Sequence, residues 1–314
     1  MEEQILHYFL KVFSFLFLFL FYFFYIFFIK EITYKNDYIF IKKNQNSTQI
    51  VEQNFEENFY NLFLYKTALK IIILNNNKVH FGKFKNIKYS NFINFVKTIS
   101  YPSNYYEKLT IIEGSSKYDL NKILNNNFLI YKEFEYNELI ADTYYFNYGL
   151  DFDKFKKILI ENLHNIKEKY KNHKLLKKFT FDEILIIGSL LEKEGLNDVD
   201  KKKIYSVIIN RLNNNMKLQI DATVIYAITE GREKLDRKLT YNDLKIENIF
   251  NTYYIYGLPP KPISYVGSKT IELIFENYDT NYFFYFYNTL EKKHIYSINY
   301  KNHLIKLNAY RSKK

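Results

Sequence analysis

The stretch "TFDEILIIGSLLEKEG", residues 180–195, predicts the central helix of the fold. Thr180 and Glu183 have the spacing of a capping box, and Gly195 stands where a C-terminal cap belongs. Between these caps the pattern predicts a helix of about fourteen residues. Because residues 184–191 are apolar or small on every side, this helix is predicted to be buried and not to lie on the surface.

Two acids, Glu192 and Glu194, end this predicted helix. Helix geometry sets Glu192 over Gly188 and Ser189, so its carboxyl starts from a face of small groups that another backbone could approach. Glu194 lies over two leucines and next to Gly195, where we expect it to fray into solvent. A buried carboxyl that also opposes the helix dipole tends to hold its proton, which would suit an acid catalyst. The alternative is that charged residues merely finish the helix.

The composition bounds the class of protein. A chain of 314 residues is long enough for two domains with separate cores. The formal charge of +11 comes from scattered lysines without a nucleic-acid-binding motif, so we expect no nucleic-acid partner. The absence of cysteine excludes disulfides, thiolate metal sites and a cysteine nucleophile.

An apolar run near the N-terminus predicts a membrane anchor. Residues 12–29 are uncharged over 18 positions, between Lys11 and Lys30, which is near the minimum length for a membrane-spanning helix. No small-residue cleavage site follows, so the anchor is predicted to remain uncleaved. More lysines follow the run than precede it, so the positive-inside rule does not favour an exported body.

The rest of the chain predicts alternating small elements. Residues 31–58 are polar and predict a stalk, and residues 59–130 alternate short strands with helices, as in an α+β module. Residues 153–178 predict a basic amphipathic helix that joins two domains. A helix beginning near Ser268 should precede a strand, a turn, a second strand and a closing helix.

The segment "MKLQIDATVIYAI", residues 216–228, alternates polar and apolar side chains. In an extended chain, Gln219, Asp221 and Thr223 would therefore lie on one side. Such a segment could be a half-buried strand or the edge of a sugar-binding groove.

Taken together, these segments resemble the MltG/YceG family of endolytic murein transglycosylases. The matching motifs are, in chain order, "LTIIEG", "LIADTYYFNYG", "GSLLEKE", "VIINRL", "MKLQIDATVIYAI", "FNTYYIYGLPPKPI" and "HIYSINYKNH". The resemblance implies an α+β fold in five parts: a cytoplasmic tail (1–11), a transmembrane anchor (12–30), a stalk (31–58), a LysM-like module (59–152) and a transglycosylase domain (153–314).

The resemblance also implies a site and a reaction. It implies that Glu192 is the catalytic acid. It also implies that substrate is bound by Asn210, Gln219, Asp221, Thr223, Asn251, Thr252 and Tyr253. Family enzymes cleave the β-1,4 bond between N-acetylmuramic acid and N-acetylglucosamine and form a 1,6-anhydro ring. One carboxyl acts first as acid and then as base, without a metal or cofactor. The chain differs from the residues common in the family at Ile220, Ala222 and Lys261. These differences affect the expected shape of the substrate groove.

The resemblance further implies a single-pass protein of the bacterial inner membrane with its catalytic domain in the periplasm. Its expected partners are peptidoglycan glycan strands, the membrane and cell-wall synthases, and its expected role is to terminate nascent strands. Two alternatives remain open from the residues. One is a tethered peptidoglycan-binding protein without activity, and the other is a murein hydrolase that uses Glu192 with Asp221.

Overall fold

The computed structural model describes residues 2–75, 78–85, 90–103 and 105–313. These residues mix α-helices with pairs of short strands, which confirms the predicted α+β class. The helices are α1 (Glu2–Phe24), α2 (Ser47–Asn54), α3 (Phe59–Leu74), α4 (Phe92–Ile99), α5 (Lys117–Asn127), α6 (Phe152–Tyr170), α7 (Phe181–Glu194), α8 (Asp198–Asn213), α9 (Asp221–Thr229), α10 (Ser268–Phe275) and α11 (Tyr300–Arg311). The strand pairs are β1 (Tyr38–Ile41) with β2 (Gly82–Lys85), β3 (Tyr106–Thr110) with β4 (Thr143–Asn147), and β5 (Phe284–Asn288) with β6 (Lys293–Ser297).

The chain forms two compact units that do not follow the predicted boundaries at 59–152 and 153–314. The first unit contains the chain up to Lys108 together with Tyr145–Leu150. The second contains Leu109–Tyr144 and the chain from Asp151 onward. The chain therefore enters the second unit, returns briefly to the first and leaves it again. The LysM-like character of the first unit stays a prediction.

The first unit includes the segment predicted to be a stalk, and that prediction is wrong. Residues 31–58 contain β1 and α2, and Val51 and Phe55 belong to the core. The side chain of Asn54 accepts a hydrogen bond from the Phe40 backbone N–H at 2.7 Å and donates one to its carbonyl at 2.9 Å. The segment looked like a linker because the exposed side of α2 is polar, which is usual for a surface helix.

Within the part of the chain that the structure describes, one helical segment, His7–Ile29, is long and apolar enough to cross a membrane. It consists of α1 from His7 onward, followed by a π-helical turn at Tyr25–Ile29. The predicted anchor falls within this segment, apart from its last residue.

Helix α7 lies at the centre of the second unit, as predicted. Thr180 caps it with a complete capping box, and residues 184–191 are all buried. The close approach predicted at Gly188 occurs, because a Cβ there would lie 2.6 Å from the Val266 Cγ1. At the next residue, Ser189 Oγ accepts a hydrogen bond from the Ile263 N–H at 3.0 Å. The segment that crosses α7 here therefore depends on the small residues.

The helix predicted at residues 153–178 is shorter in the structure. Helix α6 ends at Tyr170, and a separate 3-10 turn forms at Lys174–Lys177. The ring nitrogen Nδ1 of His173 accepts a hydrogen bond from the Leu175 N–H at 3.2 Å and so begins this turn. A side chain that caps a new turn ends the previous helix.

The extended segment predicted at residues 216–228 is wrong beyond Ile220. Helix α9 begins at Asp221, and Gln219 has a left-handed φ of 53°. The Thr223 hydroxyl donates to the Ile220 carbonyl at 2.6 Å, which supports the first helical turn. The three polar residues therefore do not share one face. Five alternating residues are too few to distinguish a strand from the start of a helix.

Candidate active site

The last turn of α7 directs its two acids to different surroundings. Residues two positions apart on an α-helix point about 200° apart. Glu192 faces the Glu113–Gly114 turn and α8, whereas Glu194 faces β5. The two carboxyls can therefore have different chemical roles.

Glu192 lies in a buried ion-pair cluster. Its Oε2 is 2.6 Å from the Lys201 Nζ, and its side chain is only 2% exposed. Its Oε1 accepts a hydrogen bond from the Gly267 N–H at 3.0 Å. Lys201 also donates to the Thr270 hydroxyl at 2.8 Å and lies 3.7 Å from Glu113. Both oxygens of Glu192 are thus occupied by groups of the protein, in contrast to the predicted apolar setting.

Burial raises the pKa of Glu113, and the negative charge of Glu192 raises it further. A Cβ at Gly267 would collide with the Glu113 carboxyl, and one at Gly114 would lie 3.2 Å from the Glu192 carbonyl oxygen. A Cβ at Gly195 would likewise collide with the stem of Lys201. Backbone without side chains therefore surrounds the cluster closely.

Glu194 belongs to α7 and is half-buried, so the prediction that it frays into solvent is wrong. The Tyr285 hydroxyl donates to its Oε2 at 3.1 Å. Burial raises the pKa of Glu194, although the hydrogen bond from Tyr285 lowers it. The charges of Asp221 and Asp200 raise this pKa further, and that of His294 lowers it. These are the properties expected of a carboxylic acid that donates a proton.

A second buried network joins β6 to the first turn of α8, next to the tyrosine that binds Glu194. The His294 Nδ1 is 2.8 Å from the Asp200 Oδ2, and the Tyr296 hydroxyl donates to the Asp200 Oδ1 at 2.6 Å. The rings of His294 and Tyr285 meet edge to face with centroids 5.3 Å apart. Against the effect of burial, the bonds from His294 and Tyr296 hold the pKa of Asp200 below its usual range. This network supports the tyrosine that binds Glu194.

Two of the predicted substrate-binding residues form a pair that the solvent can reach. The Tyr253 hydroxyl donates to the Asp221 Oδ1 at 2.6 Å, and Asp221 is exposed. Burial raises the pKa of Tyr253, and so do the bond to Asp221 and the charge of Glu194. The side chain of Gln219 is exposed, and the backbone N–H of Gln219 donates to the Thr252 carbonyl at 3.1 Å. These three residues have side chains available to a ligand.

The other predicted substrate-binding residues hold the scaffold. Thr223, Asn251 and Thr252 are fully buried, and the two threonine hydroxyls lie 2.9 Å apart. The Asn251 amide donates to two carbonyls of the preceding loop at 3.1 and 2.8 Å. Asn210 donates to the carbonyls that precede β5, at 2.7 and 2.9 Å. These side chains shape the site without facing it.

Sequence reasoning missed Lys201 and Tyr285. Lys201 stands in a run of three lysines, which is typical of a solvated helix face. Tyr285 lies in the strand predicted from "NYFFYFY", where alternation indicates two faces without showing which one meets α7. A lysine nine residues after Glu192 was the one available signal for the ion pair.

Comparison with known proteins assigns the chain to a family. A model of the YceG-like family matches residues 39–309. The chain belongs to this family. An endolytic murein transglycosylase of Bacillus subtilis strain 168 is 36% identical over 148 residues, which are 47% of this chain and 40% of that protein. An endolytic murein transglycosylase of Streptococcus pneumoniae is 32% identical over 130 residues, 40% of this chain and 23% of that protein.

The aligned part is thus less than half the length of either relative. The crystal structure of a YceG-like protein from Listeria monocytogenes matches with a TM-score of 0.53 and 22% identity. It covers 87% of this chain and 99% of that chain. At this level of identity the match shows a shared fold and nothing further.

Proposed function

We propose that the protein is an endolytic lytic transglycosylase of peptidoglycan. The observation that carries the proposal is Glu194, a half-buried carboxyl whose pKa is raised by burial and by the charge of Asp221, an exposed carboxylate that binds the half-buried Tyr253. Membership of the YceG-like family and two relatives named endolytic murein transglycosylases support the same reaction. A proton donor beside polar groups that can bind sugar hydroxyls is the equipment this reaction needs.

We propose Glu194 as the general acid, whereas the sequence favours Glu192. A general acid must reach the leaving oxygen of the substrate, and Glu192 is closed off by Lys201 and the Gly267 N–H. Glu194 has one protein donor, on Oε2, among the described contacts. Its other oxygen is the one we assign to the substrate. The prediction of Glu192 stays open to a direct test.

In the proposed reaction, Glu194 gives its proton to the glycosidic oxygen as the bond from that oxygen to the muramyl anomeric carbon breaks. The C6 hydroxyl of the same muramyl unit attacks the anomeric carbon and loses its proton to the Glu194 carboxylate. The product has a 1,6-anhydro ring, and Glu194 ends protonated and ready for another turnover. Ordinary glycosidases need a second carboxylate for a water or a covalent intermediate, whereas here the nucleophile belongs to the substrate.

A murein hydrolase is the second candidate function, because Asp221 is a second carboxylate whose charge raises the pKa of Glu194. In that case Asp221 would activate a water molecule, and the product would carry a reducing end. Digestion of purified glycan strands followed by mass analysis of the new ends separates the candidates. Anhydro ends, one water lighter, support the transglycosylase, and reducing ends would support the hydrolase. No new ends with folded protein would support a binding protein.

We further propose that the segment His7–Ile29 anchors the chain in the inner membrane, with the body in the periplasm. The length and apolar character of the segment support this topology. Termination of nascent glycan strands, and contact with the synthases that make them, would follow from this location. A reporter fused after the C-terminus should be active in the periplasm. Activity of the reporter only in the cytoplasm would contradict the topology.

A further inference from the structure

Helix α3 carries an exposed apolar surface, which we call the outer stripe. The outer stripe consists of Phe59, Tyr60, Phe63, Ile71 and Leu74, each between 55% and 77% exposed. At 3.6 residues per turn, these side chains lie within about 120° of the helix circumference. Thr67 and Lys70 lie in the same arc, so the apolar side chains form two groups, Phe59, Tyr60 and Phe63 at the start of α3 and Ile71 and Leu74 at its end. Exposed apolar groups of this kind are typical of a site that binds another apolar surface.

The opposite side of α3 packs on the end of the segment proposed to cross the membrane. The Tyr65 hydroxyl donates to the Ile26 carbonyl at 3.4 Å, and its ring meets that of Phe27 with centroids 6.0 Å apart. At the start of α3, Glu57 forms an ion pair with Lys30 at 2.6 Å. Helix α3 is therefore held beside the last turn of this segment.

This packing sets the depth of α3 relative to any bilayer that the segment crosses. Ile26 and Phe27 belong to the segment His7–Ile29, and Ile26 is only 2% exposed because protein covers it. A helix that covers the end of a membrane span must itself lie at the membrane surface. At 1.5 Å per residue, the 16 residues of α3 extend about 24 Å, which is too short to cross the hydrocarbon layer.

We propose that the outer stripe of α3 lies in the boundary between headgroups and acyl chains of the same bilayer. This proposal rests on the membrane anchoring proposed above. Phe59, Tyr60 and Phe63 are the side chains expected at such a boundary, where aromatic rings are favoured. Lys70 is exposed and lies within the arc of the stripe, so its stem can cover apolar surface while its ammonium reaches anionic headgroups.

A bilayer is the occupant favoured over a protein partner, because the covered end of the span fixes the distance of the stripe from lipid. With a second attachment besides the span, the first unit would lie against the membrane and would not turn freely on a single helix. The distance between the first unit and the bilayer would then be fixed.

The natural chain contains no tryptophan, so single substitutions give unique fluorescent probes. The full chain would be reconstituted in vesicles of phosphatidylethanolamine and phosphatidylglycerol, some with brominated acyl chains that quench tryptophan. Phe63→Trp tests the outer stripe, Phe17→Trp tests the span, and Tyr241→Trp is the control because Tyr241 is 74% exposed in the second unit. Iodide in the buffer measures access from water.

For an interfacial helix, bromolipid quenching of Phe63→Trp should come within about twofold of that of Phe17→Trp, while iodide quenches mainly Tyr241→Trp. If Phe17→Trp responds to bromolipid and Phe63→Trp responds only to iodide, the span is correct and the stripe is exposed to water, which overturns the proposal. If Phe63→Trp responds to neither quencher, a protein surface covers the stripe, and the proposal is again overturned. If Phe17→Trp does not respond to bromolipid, the membrane anchoring fails and the proposal fails with it.

Discussion

Glu194→Gln should abolish turnover and leave the fold intact. Glutamine keeps the shape of the protonated acid and can still accept the hydrogen bond from Tyr285, but it cannot transfer a proton. Loss of general acid catalysis should lower kcat by at least about 10²-fold. Because glutamine keeps the hydrogen bond from Tyr285 and carries no charge for burial to penalise, the free energy of unfolding should change by less than about 1 kcal/mol.

Glu192→Gln should have the opposite effect. It leaves the Lys201 ammonium, whose side chain is 10% exposed, with the Thr270 hydroxyl and with Glu113 at 3.7 Å. Removal of one partner from a buried pair costs about 3–5 kcal/mol. That is a large part of a typical stability of about 5–15 kcal/mol, so the melting temperature should fall steeply while folded protein remains active. A second substitution, Lys201→Met, should restore much of the stability because no buried charge is left.

The assay combines thermal unfolding, followed by circular dichroism, with mass analysis of glycan digests. Activity is expressed per folded molecule at a temperature where both variants are folded. Full stability with no turnover in Glu192→Gln, together with an active Glu194→Gln, would refute our assignment and support the acid predicted from the sequence. Loss of activity in both folded variants would show that the ion pair is itself part of the catalytic machinery.

Three further outcomes follow from the site. The basic limb of the kcat/KM profile reports deprotonation of Glu194, so Tyr285→Phe should shift it to higher pH and Asp221→Asn to lower pH. Asp200→Asn should cost about 2 kcal/mol at neutral pH in urea unfolding. Since the folded pKa of Asp200 is low, this difference should shrink only as the pH falls below about 4 toward that value. Gly188→Ala should lower stability by about 1–3 kcal/mol by overpacking, measured in the same way.

The sequence predicts those features that local patterns encode. The caps at Thr180 and Gly195, the buried face of α7 and the order of β5, β6 and α11 were all confirmed, because each depends on neighbours in the chain. The stalk was wrong because a polar surface helix and a linker have similar compositions. Strands β1 and β2 lie about 45 residues apart in the chain and pair through tertiary contact. A single sequence does not show such a contact.

The surroundings of the two acids could not be predicted for the same reason. Both candidates were found from the sequence, but the groups that distinguish them come from elsewhere in the fold. Tyr285 reaches Glu194 across 91 positions, and the Gly267 N–H reaches Glu192 across 75. A helical wheel shows which residues share a face, and only the packing shows what that face meets.

The proposed division of the two acids between structure and chemistry depends on how the end of α7 is held. Glu192 ties this end to α8 through Lys201 and to the start of α10 through the Gly267 N–H, and Gly114 approaches its backbone closely. A helix end fixed from these directions cannot turn about its axis. Glu194, two residues later, therefore keeps one direction toward Tyr285, whose ring packs on His294 of the Asp200 network. A carboxyl that must first give and then take a proton needs such a fixed position together with a free oxygen.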